Sequence, residues 1–95
     1  MAKEKRIAKI ASAAKTLRVL GHPVRMKIVE FLADGEKNVS TIQKHIKLQQ
    51  AVTSQLLKLL YDNGLVDKRR DKNFMYYKQN KKTLAAIDKL MKDID

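Results

Sequence analysis

Apolar residues recur along the first part of the chain at helical spacing. Ile7, Ile10, Ala11, Ala14, Leu17 and Leu20 fall on one side of a helix predicted over residues 4–20, with lysine and arginine opposite. Gly21 ends that pattern. Pro23 then stands where a first helical turn tolerates it, Val24, Ile28, Phe31 and Leu32 share a face, and Gly35 supplies a break, so a second helix is predicted over 23–34. Ser40 and Gln43 have capping-box spacing, Asn38 is the other candidate cap, and Ile42 and Ile46 form the buried edge of a short third helix over 40–46. Lys47 and Leu48 leave only a tight connection to a fourth helix from Gln50 to Asn63. There Val52, Leu56, Leu57, Leu59 and Leu60 point inward and Gly64 closes the helix.

After Gly64 the period changes from 3.6 to 2. "LVDKRR" and "FMYYKQ" read as two short strands, and Asp71, Lys72 and Asn73 as a three-residue loop with Asn73 in the left-handed position. Counting back from that loop pairs Arg70 with Phe74 and Lys68 with Tyr76, so that aromatic rings brace the basic stems. Asn80 caps a last helix over 81–94, lined on one side by Leu84, Ile87, Leu90, Met91 and Ile94. Two helices joined by a tight turn form a helix-turn-helix. With a hairpin directly after its second helix, the chain is predicted to be mainly α with a β-hairpin wing, a winged helix-turn-helix of order α-α-α-α-β-β-α.

Ninety-five residues make one domain, 1–95, whose core is modest enough that a partner subunit would add to it. No apolar run approaches the roughly 18–20 residues of a membrane span, and the start of the chain has no continuous apolar stretch of the secretory kind, so a cytoplasmic protein with no membrane partner is expected. The absence of cysteine excludes disulfides, thiolate metal sites and a cysteine nucleophile. The net charge of +11 favours an anionic partner, nucleic acid above all, although a highly charged surface also serves solubility. That charge is concentrated in two places: residues 1–20 carry six Lys/Arg against one Glu, and residues 67–82 carry seven against two Asp.

The segment "LRVLGHPVRMKIVEFL" resembles the "aLadptRlrIlelL" of the ArsR/SmtB regulators, and "LQQAVTSQLLKLLYDNGLVDKRRDKNFMYYK" resembles their "LsqstvSrhLkvLreaGLVrsrReGrwvYYrl". The resemblance runs without a gap from Leu17 to Gln79. It implies a dimeric transcriptional regulator, a repressor of double-stranded DNA sites, whose outer helices form a homodimer interface through Ile7, Ile10, Ala14, Leu17, Leu84, Ile87, Leu90, Met91 and Ile94. For any one of these residues, packing within its own subunit is the alternative. Where many members carry the metal-binding "ELCVCDL", this chain has "EKNVSTI", with Asn38 and Ser40 in place of the cysteines, neither of which supplies a thiolate. A second metal site of the family uses His and carboxylates on the last helix. Here Asp88, Asp93 and Asp95 stand without a His, so no metal and no cofactor is expected.

On the fourth helix, the positions matching the family's base-reading edge are Gln49, Gln50, Thr53, Ser54 and Gln55, with Lys58 one turn on. Glutamine amides can pair with adenine, and hydroxyls reach bases or phosphates. Gln49 replaces the usual serine cap and is a weaker one. In the wing, Lys68, Arg69, Arg70 and Lys72 offer phosphate or minor-groove contacts, with Asn73 at the tip; Tyr76 and Tyr77 read as stem packing, with stacking on bases the alternative. Arg25 matches a family arginine and has a structural or phosphate-contacting role. His22 reads as a cap or solvent residue, and His45 as a phosphate contact or a bystander on the polar side of its helix. Against the sequence-specific regulator stands the same fold used for non-specific nucleic-acid binding or protein docking. No glycine-rich phosphate loop, nucleophile elbow or paired-carboxylate pattern points to an enzyme. The effector, a small molecule or protein if there is one, is not written in the residues.

Overall fold

The computed structural model describes residues 2–93. Ile94, expected at the dimer interface, and Asp95 lie outside the described residues. Five helices and three short strands follow in order: α1 (Ala2–Leu20), α2 (Pro23–Phe31), β1 (Lys37–Asn38), α3 (Val39–Ile46), α4 (Gln50–Asp62), β2 (Val66–Asp71), β3 (Phe74–Gln79) and α5 (Lys81–Asp93). The winged helix-turn-helix expected from the sequence is the observed architecture, with two additions. The second helix gives way at Leu32 to a single 3₁₀ turn, Leu32–Asp34, which keeps Leu32 buried while it turns the chain toward Gly35. And β1, only two residues long, pairs with β3 in a three-stranded antiparallel sheet of order β1-β3-β2.

The helix ends are set by named side chains. His22 caps α2, its Nδ1 accepting from the Val24 N–H at 3.3 Å. Asn38 rather than Ser40 caps α3, accepting from the Thr41 N–H at 2.8 Å. Asn80 caps α5 through the Thr83 N–H at 2.9 Å. Lys47 takes a left-handed φ of 59° to close α3, which leaves room for only Leu48 and Gln49 before α4. At the far end of α4, Gly64 sits at φ 74°, with the Leu65 N–H bonded to the Leu60 carbonyl and the Gly64 N–H to that of Tyr61. This is the two-bond left-handed ending that glycine favours, and it aims the chain directly into β2.

Ile28, Val29 and Leu32 from the α2 segment, Ile42 and Ile46 from α3, Leu57 and Leu60 from α4, and Leu65, Val66 and Tyr77 from the hairpin make one buried cluster. It lies between the helix-turn-helix and the sheet, so each of these elements rests on the same set of side chains. Val19 and Leu20 at the end of α1, and Leu84 on α5, pack against its edge. Arg25 donates from Nη1 to the Val19 carbonyl at 3.1 Å and ties α2 to that end of α1, the structural role of the two expected for it.

The outer helices bury little else. α5 has no buried residue, and Ile7 (59% exposed), Ile10 (38%) and Met91 (53%) stand open, with Ala14 exposed beside them. Leu17, Ile87 and Leu90 are half-buried. Between α1 and α5 runs a groove of about 930 Å³ floored by Ala13, Ile87 and Leu90, and the Arg6 guanidinium crosses it to the Asp93 carbonyl at 3.0 Å.

Candidate nucleic-acid interface

One face of α4 is fixed by burial. Thr53, Leu57 and Leu60 recur at helical spacing and all are fully enclosed, with Leu56 and Leu59 flanking them. The opposite edge is left to solvent: Gln50, Ser54, Gln55 and Lys58 are exposed, as is Gln49 just before the helix. Two expectations are corrected here. Val52, expected inward, is 39% exposed, and Thr53, expected to read bases, is 0% exposed. Thr53 turns its hydroxyl back to donate to the Gln49 carbonyl at 2.9 Å, which satisfies the one polar group that burial would strand. Its methyl then packs as an apolar group would, and no base can reach it.

Gln49 takes the extended cap conformation but makes no side-chain capping bond. The start of α4 therefore lacks a side-chain cap from Gln49, which leaves the positive end of the helix dipole without that acceptor. Lys58, one turn along, is paired with Asp62 at 2.7 Å, and that hydrogen bond holds the lysine's pKa above its ordinary value.

The hairpin beside this edge closes more tightly than the sequence count gives. Asp71 pairs with Phe74, so the loop is the two residues Lys72 and Asn73, and it is Lys72 (φ 56°) that takes the left-handed position. The register moves by one: Arg70 stands opposite Met75, Arg69 opposite Tyr76 and Lys68 opposite Tyr77. In a strand, a shift of one exchanges faces. The expected braces of Arg70 by Phe74 and Lys68 by Tyr76 are accordingly replaced. The Arg69 guanidinium lies over the Tyr76 ring at 4.6 Å, and the Lys68 ammonium lies over Tyr61 of α4 at 4.3 Å. The second contact links the wing to the exposed side of α4. Tyr77 is buried, and burial pushes its phenol pKa up.

Arg69 is already engaged within the fold. Its Nε donates to the two carboxylate oxygens of Glu36 at 3.1 and 3.0 Å, its Nη2 also donates to Glu36, and its Nη1 lies 3.8 Å from Asp71. Arg70, Lys72 and Asn73 are exposed at the tip. The sequence reading missed Glu36 because the strand that carries it beside the wing is too short to show alternation. It also missed the partner of His45, which stacks flat on Phe31 with ring centroids 3.8 Å apart. Among the described residues, no group of three His, Cys, Asp or Glu side chains is placed to hold a metal ion, and no helix is long and apolar enough to cross a membrane.

The arrangement is thus a helix edge of amides and hydroxyls beside a cationic loop, both resting on one core. The family model of the bacterial regulatory proteins of the arsR family matches residues 22–68, from the cap of α2 into the wing. The biofilm growth-associated repressor of Xylella fastidiosa is 33% identical over 84 residues, which is 88% of this chain and 71% of the repressor. The arsenical resistance operon repressor of Staphylococcus xylosus is 33% identical over 72 residues, 76% of this chain and 69% of that protein. The crystal structure of the Xylella fastidiosa transcriptional repressor BigR superposes with a TM-score of 0.70 at 30% identity, covering 99% of this chain and 94% of that one. Sequence, core and wing agree: this chain belongs to the arsR family of bacterial winged helix-turn-helix transcriptional regulators.

Proposed function

We propose that the protein is a sequence-specific repressor that binds double-stranded DNA as a homodimer, the whole of residues 1–95 acting as one DNA-binding domain. Each copy lays the exposed edge of α4 in a major groove and rests its wing on the adjoining phosphates or minor groove. The observation that carries this reading is the division of α4 into a fully enclosed face and an open one bearing Gln50, Ser54, Gln55 and Lys58, with the cationic wing tip alongside. Such an edge can present paired donors and acceptors to base edges while the helix behind it stays fixed.

Dimerisation is supported by the outer helices, whose apolar residues lie open although the chain is otherwise strongly charged. A second copy covering Ile7, Ile10, Ala14 and Met91 would remove that surface from water and set two reading edges in twofold relation. The matching site is a pseudo-palindrome with half-sites roughly 34–36 Å apart, one turn of the duplex. Without cysteine, release from DNA does not proceed through thiol chemistry.

Fluorescence anisotropy tests the reading, using duplexes recovered by selection from genomic fragments together with scrambled versions across a salt series. Tighter binding to the selected duplex, with steep loss as salt rises, is the expected result. Equal affinity for both would leave non-specific binding in its place.

A further inference from the structure

The four cations of β2 and its loop, Lys68, Arg69, Arg70 and Lys72, are not equivalent. Arg70 and Lys72 have no carboxylate partner among the described residues, and Lys68 lies over a ring that leaves its charge intact. Arg69 alone is partnered on three sides by its own fold while its side chain stays half exposed, with Glu36 across Nε and Nη2, Asp71 near Nη1 and Tyr76 under its face. Glu36 comes from the segment just before β1, thirty-three residues away in sequence. It is carried to the wing by the pairing of Lys37 with Tyr77 and of Asn38 with Tyr76.

A guanidinium presents the same two-pronged fork to a carboxylate as to a phosphate. The Glu36 carboxylate therefore occupies, within the protein, the place that a DNA phosphate would take on Arg69. We infer that Glu36 is a specificity-determining residue. By holding Arg69 it withholds one cation per subunit from sequence-independent attraction to the DNA backbone, so a larger share of the binding free energy depends on the base contacts of α4. The ion pair also explains why an arginine in a DNA-facing wing is stacked on Tyr76 rather than extended. This inference rests on the DNA-binding reading of the preceding section.

The test compares wild type, E36Q, R69A and the double variant E36Q/R69A by anisotropy on selected and scrambled duplexes from 50 to 300 mM salt. Circular dichroism checks that each is folded. Glutamine keeps the shape of Glu36 but not its charge, which frees Arg69 for phosphate. E36Q should bind scrambled duplex about three- to tenfold more tightly at low salt, with the salt slope steeper by about one per subunit and the ratio of selected to scrambled affinity reduced. R69A alone should change scrambled binding little, and the double variant should lose the gain of E36Q. If E36Q binds scrambled duplex no more tightly than wild type, or the double variant keeps the gain, Glu36 does not act through Arg69 and the inference is overturned. Failure of wild type to prefer the selected duplex would instead defeat the parent reading, so the two failures are distinct.

Discussion

The hydroxyl of Thr53 donates to the carbonyl of Gln49, four residues back, at 2.9 Å inside the fold. That carbonyl also accepts the Thr53 N–H, so it keeps a partner if the hydroxyl is lost. Thr53→Val, which keeps the shape and removes only the hydroxyl, should leave stability within about 1 kcal/mol and DNA discrimination unchanged. Thr53→Ala should cost about 1 kcal/mol more through the buried carbon it deletes. Urea denaturation paired with anisotropy checks both. Lost discrimination in a well-folded Thr53→Val protein would mean that this side chain does reach a base.

Gln50 and Gln55 carry the opposite expectation, since both are exposed on the open edge of α4. Alanine at either should leave the fold intact and reduce the preference for selected over scrambled duplex by about 1–3 kcal/mol for each paired contact to adenine. Competition binding with base-substituted duplexes locates the position at which each acts. Unchanged preference in the double alanine variant would move base reading to the wing.

Ile10 tests the assembly. It is exposed on α1 within an apolar stripe, so Ile10→Glu should be tolerated by the isolated fold while placing a carboxylate in each copy's covered surface. Analytical ultracentrifugation should then give the mass of one subunit, and DNA affinity should fall by more than tenfold as the second half-site is lost. A variant that keeps the mass of two subunits would place the interface elsewhere.

His45 and Phe31 join α3 to α2 by a flat stack, and the Lys37 ammonium lies 5.0 Å from the same Phe31 ring. His45→Ala should lower stability by about 0.5–1.5 kcal/mol. His45→Tyr should restore most of it, because what the site requires is a ring. Chemical denaturation of the three proteins distinguishes this from a histidine of no structural consequence, for which all would unfold alike.

Two carboxyls give a pH dependence of known sign. Glu36 is held below its ordinary value by hydrogen bonds from Arg69, and Asp34 is held below its own by the Lys37 ammonium. Unfolding raises both back, so each contributes stability above the unfolded carboxylate range and loses it as pH falls through the folded value. Tm should therefore drop below about pH 4.5, and less steeply in an E36Q/D34N variant than in wild type. Parallel curves for the two proteins would show that neither ion pair contributes.

The helices were legible because apolar spacing and caps agree. Ile42 with Ile46, and Leu57 with Leu60, fall where period and burial coincide, and Asn80 announces α5 by the same chemistry that caps it. Position 53 matches the family's base-reading edge by alignment, yet a threonine able to bond its own helix backbone fits the inward place, and its apolar neighbour Val52 is left at the edge. The hairpin register goes with a two-residue loop in which Lys72 is left-handed, a choice of turn that side-chain pattern does not encode. β1 was invisible for a different reason. Two residues cannot show an alternation, and their place beside β3 is decided by contacts that form only when distant parts of the chain meet.

That small strand has a mechanical consequence. Because β1 fastens the stretch leading into α3 onto the base of the hairpin's inner strand at Tyr76 and Tyr77, tilting the wing from its base would first require those pairs to part. A subunit should thus behave as a single stiff jaw. In the proposed dimer, a signal that loosens the hold on an operator is then expected to alter the angle between two such jaws, leaving the shape of each unaltered.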